Sequence, residues 1–473
     1  MFSIFEPSRH GRRDFLRIGS LALGGLGLSS LPASLGAASS GRKKSVVLLF
    51  LQGGPPQIET FDPKPDGQSE IRSVTGKVET SLPGVYFGGG LPKMASLAHK
   101  MAVVRSFRIG AAGGSHENGY TALLNGNKNT FDAPMGSIYS RAAGSLNPAT
   151  GLPTNSIILP ETIDPDIKLG TPSGAFTYNQ TRRYFCSPGK LGSEYQPFDP
   201  AGGGQLIENL KLGIPRKRFD DRRELLSKIS RLRRELEKLP GLKGTSAAQQ
   251  QAYDVLFRGI SEAFDLSKED PKVIEQYDTS GLVPMKKIRR GGPWYRNNFN
   301  RTTNLLGKQM LLARRLCEAG CGFVTVVDSC WDFHDDGNNP PVKMGMDALS
   351  PQLDHAVAAF LEDVERRGLS DEILLVITAE MGRTPKKGKG GGSGHWGNLA
   401  PLLLAGGGLQ MGQVIGRSDR SGGHPASEPY TPQHLMATVL QTLFDVGETR
   451  LRTDLPAELS QFITDGNPIR ELF

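Results

Sequence analysis

Four residues whose side chains can bind metal or move protons lie beside the ends of predicted strands. Asp332 and His334 follow one apolar strand, Glu380 follows another, and His395 lies on the loop before a third. Because loops at the carboxyl ends of parallel strands converge, we expect these two imidazoles and two carboxylates to share one cleft. Imidazole and carboxylate suit a divalent ion such as zinc or manganese, and an open coordination position would permit Lewis-acid chemistry.

The strands that would position this cluster are apolar runs. The clearest three cover residues 46–51, 322–327 and 373–378, and two more cover residues 101–107 and 399–405. Runs without polar alternation are typical of strands buried on both faces, as in a parallel sheet. Polar residues at the ends of these runs therefore place the candidate chemistry at one edge of the sheet.

Segments whose apolar residues have helical spacing alternate with these strands. Helices are predicted at residues 304–319 and 349–367, and a further helix is predicted to begin near Tyr120. This alternation predicts an α/β protein with a doubly wound, mostly parallel sheet, and such proteins bind their ligands at the carboxyl ends of the strands.

Residues 41–473 are expected to form a single α/β domain that carries one insertion. Residues 150–300 are rich in loops and contain a charged stretch of helical spacing at 219–238. We interpret this region as an inserted, loop-rich helical subdomain with a solvated helix. The chain has 59 glycines and 32 prolines among its 473 residues, so many turns and long loops are expected.

The composition argues against several classes of protein. Lys and Arg number 56 against 48 Asp and Glu, which gives a formal net charge of +8. No basic run is interleaved with aromatic residues, so nucleic acid is not an expected partner, and the mild surplus favours anionic ligands. Four cysteines in this length do not make a disulfide framework. The oligomeric state stays open at this stage.

The first 40 residues predict a twin-arginine export signal. The pair Arg12 and Arg13 is followed by Phe15 and Leu16, a short apolar segment and several small residues. The apolar segment, residues 18–31, is too short to span roughly 30 Å of hydrocarbon. We therefore expect a protein that is exported already folded to the periplasm or the cell exterior, with no transmembrane segment in the mature chain.

Five motifs in the predicted loops carry a resemblance to a known family. They are Gln-Gly-Gly-Pro-Pro at residues 52–56, Thr-Phe-Asp-Pro-Lys-Pro at 60–65, Trp-Asp-Phe-His at 331–334, Glu-Met-Gly-Arg-Thr-Pro at 380–385 and Gly-His-Trp at 394–396. On these motifs, and over nearly the whole mature chain, the sequence resembles the DUF1501 family of exported bacterial proteins. The family has no settled activity, and the resemblance implies an α/β fold of the alkaline phosphatase and sulfatase type.

The resemblance also implies a metal centre, with departures from the superfamily pattern. Asp332, His334 and His395 resemble the Asp and the two His residues that hold one metal ion in superfamily enzymes. At the second metal site, Gln52 stands where the Asp of the first strand is expected. Glu380 and the methionine after it stand where an Asp-His pair is expected, and a methionine cannot be a hard ligand.

The position of the superfamily nucleophile holds a histidine in this chain. The nucleophile, a Ser, Thr or Cys, precedes by ten residues the Gly of a conserved turn. The matching turn here ends at Gly126, which places His116 at that position. His116 could be a metal ligand, a general base or a phosphoryl acceptor, and the first two are favoured because neither needs a covalent intermediate. The hydroxyls of Ser115 and Thr121 keep a covalent mechanism open.

Together these features predict a metal-dependent hydrolase of phosphate or sulfate esters in the cell envelope, with anionic polysaccharide esters among its substrates. The Asp-His-His set would hold the metal, while Glu380 and His116 would complete the metal shell or act as the base. Arg383 would clamp the developing oxyanion, or would instead pair with Glu380. The alternative is a non-catalytic envelope protein that keeps a metal on a degenerate sulfatase-like scaffold and uses it for binding or assembly.

Overall fold

The computed structural model describes six segments of the chain, built around one seven-stranded sheet. The described residues are 44–127, 129–164, 178–201, 260–282, 304–336 and 339–473. The predicted export signal in the first 40 residues and the predicted helix at 219–238 lie outside the described residues and stay predictions.

Eleven strands lie within the described residues. They are β1 (Ser45–Leu51), β2 (Lys77–Glu79), β3 (Tyr86–Gly88), β4 (Ala102–Val104), β5 (Asn155–Ile158), β6 (Phe323–Asp328), β7 (Ile373–Thr378), β8 (Gly382–Arg383), β9 (His395–Trp396), β10 (Leu402–Gly406) and β11 (Gln413–Ile415). The central sheet has the order β11-β4-β10-β7-β1-β6-β5, and β2–β3 and β8–β9 form separate pairs. Only β10 runs antiparallel to its neighbours in that sheet, which confirms the prediction of a mostly parallel α/β fold.

The three central strands end level with one another. β1 pairs with β6 on one side and with β7 on the other, so that Leu51 lies beside Asp328 and Phe50 lies beside Thr378. Alternate residues of β1 belong to two different apolar clusters, one on each face of the sheet. The chain segments that follow β1, β6 and β7 therefore leave the sheet at the same edge.

Helices cover both faces of the sheet. They are α1 (Gln57–Thr60), α2 (Pro92–Ser96), α3 (His116–Leu124), α4 (Met135–Ala143), α5 (Pro160–Ile163), α6 (Tyr178–Phe185), α7 (Ile260–Phe264), α8 (Pro271–Gln276), α9 (Leu306–Glu318), α10 (Val342–Arg366), α11 (Pro432–Leu443), α12 (Val446–Leu451) and α13 (Ala457–Thr464). Buried residues of α9 and α10 belong to the cluster on one face, and those of α3, α4 and α11 to the cluster on the other. This is the doubly wound arrangement that the sequence predicts.

Several predicted elements differ from the observed ones at their ends. The strand predicted at 101–107 is limited to the three residues of β4, and the one predicted at 399–405 begins only at β10, after Pro401. The helix predicted from residue 349 begins at Val342. A proline is favoured in the first turn of a helix, yet Pro351 lies inside α10.

The range predicted as an insertion, residues 150–300, begins within the central sheet. β5 lies in that range and pairs with β6 in parallel as the edge strand. A subdomain inserted in this range stays a prediction, and it would begin after β5. Among the helices in the described part of the chain, none has both the length and the apolar character needed to cross a membrane.

Candidate metal centre

Four side chains from three parts of the chain converge at the carboxyl end of the sheet. His116 is the first residue of α3, Asp332 and His334 follow β6, and His395 lies in β9. Each of the four offers one donor atom, and these atoms all lie within 4.8 Å of one another. The structure thus brings the Asp-His-His set together and adds His116 to it.

The donor atoms gather around one oxygen of Asp332. Its Oδ1 lies 2.9 Å from the Nε2 of His334 and 3.7 Å from the Nε2 atoms of both His116 and His395. The Nε2 atoms of His334 and His395 are 2.8 Å apart. In a tetrahedral zinc centre with bonds of about 2.0 Å, neighbouring donors lie about 3.3 Å apart. One carboxylate and three imidazoles at these spacings therefore fit one divalent ion, and zinc, manganese and iron all accept such donors.

Asp332 is buried and ionised in this setting. Burial by itself would raise the pKa of its carboxyl group, but the guanidinium of Arg383 and the three imidazoles hold that pKa well below its ordinary value. A permanently negative oxygen at the centre of the cluster favours a cation.

The end of β1 allows this cluster to form because it carries glycine. Gly53 has a φ of 117°, and a Cβ atom placed there would lie 2.6 Å from the backbone nitrogen of Asp332. Only glycine can combine this backbone conformation with so close an approach. The glycine at this position therefore lets the end of the first strand pass directly against the segment that carries Asp332.

Glu380 contacts His116 and does not belong to the converging set. Its Oε1 lies 2.7 Å from the Nδ1 of His116 and accepts a hydrogen bond of 2.8 Å from the backbone N–H of Gly53. Its Oε2 is buried and has no hydrogen-bond partner among the residues that the structure describes. Burial would lower the pKa of His116, yet the nearby carboxylates of Asp332 and Glu380 outweigh burial and raise that pKa to about 9.

Arg383 is fully buried, and protein acceptors surround its guanidinium. The group has five N–H donors. They are directed at five acceptors, which are the backbone oxygens of Gly53, Gly54 and Ser393, Asp332 Oδ1 and His334 Nε2. Arg383 pairs with Asp332 and not with Glu380, and its N–H groups face the protein interior. In this arrangement it links the segments after β1 and β6 to the loop between β8 and β9.

Gln52 and Met381 stand where the resemblance implies ligands of a second metal ion, and both have other surroundings. The amide of Gln52 donates to the hydroxyls of Tyr120 and Thr181, at 2.9 Å each, and its oxygen accepts from Ser329 at 2.7 Å. Met381 is completely buried. Both side chains therefore serve the packing beneath the site.

The two hydroxyls that kept a covalent mechanism open have structural contacts. Ser115 is the N-cap of α3 and its oxygen accepts from the N–H of Asn118 at 3.4 Å. Thr121 donates to the carbonyl of Glu117 at 3.1 Å.

A strained residue that the sequence does not reveal turns the chain into the site. Cys330, between β6 and Asp332, has a φ of 88°, a region that side-chain-bearing residues rarely adopt. The turn is held by the indole of Trp331, which donates to Asp328 at 2.9 Å. No sequence signal predicts this conformation, because cysteine has no preference for positive φ.

Comparisons with known proteins relate the chain to one family and to several solved structures. The family model described as "Protein of unknown function (DUF1501)" matches residues 43–473. No curated protein matches the chain.

Among solved structures, the PsFucS1 sulfatase from Pseudoalteromonas sp. is 12% identical, with a TM-score of 0.36, over 98% of this chain and 80% of that chain. The phosphonate monoester hydrolase SpPMH from Silicibacter pomeroyi is 10% identical, with a TM-score of 0.37, over 90% of this chain and 76% of that chain. The phosphonate monoester hydrolase of Agrobacterium radiobacter is 14% identical, with a TM-score of 0.34, over 90% and 78%.

Proposed function

We propose that this chain, which belongs to the DUF1501 family, is a metal-dependent hydrolase of phosphate or sulfate esters. The observation that carries the proposal is the convergence of one carboxylate and three imidazoles within 4.8 Å, at the end of the sheet where α/β proteins bind their ligands. The four residues would hold a divalent ion, which would supply Lewis-acid chemistry toward an ester oxygen and toward water.

Each side chain of the site has one task in this proposal. Asp332, His334 and His395 would hold the ion, and His116 would be its fourth ligand. His116 is assigned as a ligand and not as a base because its Nε2 faces the other donors while its Nδ1 contacts Glu380. Arg383 would keep the Asp332 carboxylate oriented. An ion on His334 Nε2 would replace the contact of that atom with Arg383, whose other N–H groups reach Asp332 and three backbone oxygens, so we assign Arg383 to the framework of the site.

Anionic esters, including those of anionic polysaccharides, are the proposed substrates. The net charge of +8 supports an anionic ligand. The predicted twin-arginine signal supports export, so we place the activity in the periplasm or outside the cell.

A non-catalytic, metal-containing envelope protein is the second candidate. It is favoured by the contacts of Gln52 and the burial of Met381, since neither residue is available as a second metal ligand. It is also favoured by His116, which occupies the position where the superfamily resemblance places a hydroxyl or thiol nucleophile.

The first test is metal content together with activity. The full-length protein is purified without added metal, its metal is measured by elemental analysis, and hydrolysis of p-nitrophenyl phosphate and p-nitrophenyl sulfate is assayed. We expect near-stoichiometric zinc, manganese or iron and hydrolysis of at least one ester, both lost in the Asp332→Ala and His395→Ala variants.

The matched control is His99→Ala, which removes an exposed imidazole that hydrogen-bonds Ser81 and lies outside the cluster. It should keep both metal and activity. A folded wild-type protein without metal would contradict both candidates. Bound metal that both variants lose, without hydrolysis of phosphate or sulfate esters, would contradict the hydrolase and support the second candidate.

A further inference from the structure

We propose that Glu380 is a positioning residue, which orients His116 so that its Nε2 atom faces the metal, and that Glu380 does not itself bind the metal. This inference rests on the metal centre of the proposed function and gives the two residues distinct roles. From the sequence alone, Glu380 and His116 could each be a metal ligand or the general base.

The hydrogen bond between the two side chains determines which nitrogen of His116 carries the proton. An ionised carboxylate can only accept hydrogen bonds. Glu380 Oε1 accepts the backbone N–H of Gly53 and lies 2.7 Å from Nδ1 of His116, so we assign the proton of this contact to Nδ1. In a neutral imidazole the lone pair is then on Nε2, which lies 3.7 Å from Asp332 Oδ1, on the side of the other donors. A carboxylate that orients a metal-binding histidine in this way is a common arrangement around metal sites.

The backbone around Glu380 holds its carboxylate in place. Gly53 donates its N–H to the same Oε1 that contacts His116. On the other side, a Cβ atom on Gly119 would lie 2.6 Å from the carbonyl oxygen of Glu380, so α3 packs directly against this residue. The carboxylate and the helix that carries His116 are therefore fixed relative to each other.

Glu380 itself is a poor candidate for a direct ligand. It is not one of the four residues whose donor atoms lie within 4.8 Å of one another. Its Oε1 already contacts His116 Nδ1 and accepts the N–H of Gly53. Its negative charge next to His116 increases the basicity of that imidazole, which strengthens a bond from Nε2 to a metal ion.

A double-mutant cycle on metal affinity tests this assignment. Zinc affinity is measured by chelator competition for wild type, Glu380→Gln, His116→Gln and the double variant. Loss of an outer carboxylate of this kind weakens metal binding by about 10–100-fold, and we expect that loss for Glu380→Gln. In the His116→Gln background the same substitution should cause no further loss, because there is no imidazole left to orient.

The visible absorption of bound cobalt separates positioning from ligation. At saturating Co²⁺, Glu380→Gln should keep the wild-type spectrum, because the set of donors is unchanged, whereas His116→Gln should alter it.

Glu380→Asp retains the negative charge on a shorter side chain, and we expect it to bind zinc with an affinity between those of wild type and Glu380→Gln. Glu59→Gln is the matched control, since Glu59 is equally buried and hydrogen-bonds Ser73, Val74 and Thr75 away from the cluster. It should leave both readouts unchanged.

Two outcomes would overturn the assignment. An affinity loss on Glu380→Gln that persists in full in the His116→Gln background would make Glu380 a ligand. An unchanged affinity in Glu380→Gln would show that His116 needs no orientation. Neither result would bear on the proposal that the protein hydrolyses esters. If the double-mutant cycle gives the expected affinities but neither ester is hydrolysed, the proposed function is overturned and the role of Glu380 stands.

Discussion

At the scale of single residues, Arg383 holds the segments of the site together. We predict that Arg383→Met lowers the free energy of unfolding by about 3–5 kcal/mol, because the buried Asp332 carboxylate loses its cationic partner. Urea unfolding of the metal-free protein measures the loss. Arg417→Met, at an exposed arginine, is the control and should change stability by less than about 0.5 kcal/mol. Equal stability of the two variants would contradict the structural role of Arg383.

Gln52 gives a second prediction at this scale. Gln52→Asp restores the residue type that the superfamily resemblance implies, but it removes the two amide donors to Tyr120 and Thr181. A buried group that loses its partner costs about 1–3 kcal/mol, and more when it is charged. We expect a destabilised protein that binds no additional metal, as measured by urea unfolding and elemental analysis. A second equivalent of bound metal would contradict this prediction.

The sequence revealed candidate residues more readily than their contacts. Asp332, His334 and His395 could be predicted because their types and positions after or before strands are visible in the sequence. The partners of Glu380 and Arg383 could not be predicted, since they depend on hydrogen bonds between segments that are distant in the chain. The roles that we assign to these five residues remain proposals.

At the scale of secondary-structure elements, a buried ion network joins α9 and α10. Arg314 of α9 lies 2.9 Å from Asp363 of α10, and it also contacts Glu269 and Glu318 at 2.6 and 2.5 Å. We predict that Arg314→Met destabilises the protein by about 3–5 kcal/mol, because Asp363 stays buried with fewer cationic partners. Thermal and urea unfolding measure the effect. Lys343→Met removes an exposed ion pair of α10 with Asp347 and should cost at most about 1 kcal/mol.

The same network predicts a loss of stability in acid. Burial would raise the pKa of Asp363, but Arg366 and Arg314 outweigh burial and lower it below the ordinary value of 3.8. A lowered pKa in the folded state means that the ionised group stabilises the fold above the unfolded-state value, and that this contribution is lost as the pH falls through the folded-state value. Unfolding free energies measured between about pH 5 and pH 3 should therefore fall less steeply for Asp363→Asn than for wild type. Parallel slopes would contradict the prediction.

The sequence predicts those strands best that are long and apolar, because their own residues determine that they form. β1, β6 and β7 follow from mainly apolar runs whose side chains are buried on both faces of the sheet. The antiparallel direction of β10 could not be predicted, because it is set by pairing with β4 and β7 and not by the residues of the strand itself. The early start of α10 was missed because Pro351 lies inside that helix.

At the scale of the whole molecule, metal binding should stabilise the fold. A ligand that binds only the folded state adds about 2.7 kcal/mol at a free concentration of 100 times its dissociation constant. We predict that zinc raises the unfolding temperature of the wild-type protein after treatment with a chelator, and that Asp332→Ala abolishes the rise. Differential scanning calorimetry measures it. A rise that persists in Asp332→Ala would place the stabilising metal elsewhere.

The position of β1 in the sheet has a consequence for how the protein is synthesised. This strand is the first among the described residues, yet Val46 pairs with Phe323 and with Leu374, hundreds of residues later. At a synthesis rate of roughly 5–20 residues per second, β6 and β7 are synthesised on the order of tens of seconds after β1. During that time an apolar strand with two unpaired edges is open to aggregation. We therefore expect the nascent chain to depend on chaperones that cover β1, and the metal site to assemble only after the ribosome has made nearly all of the protein.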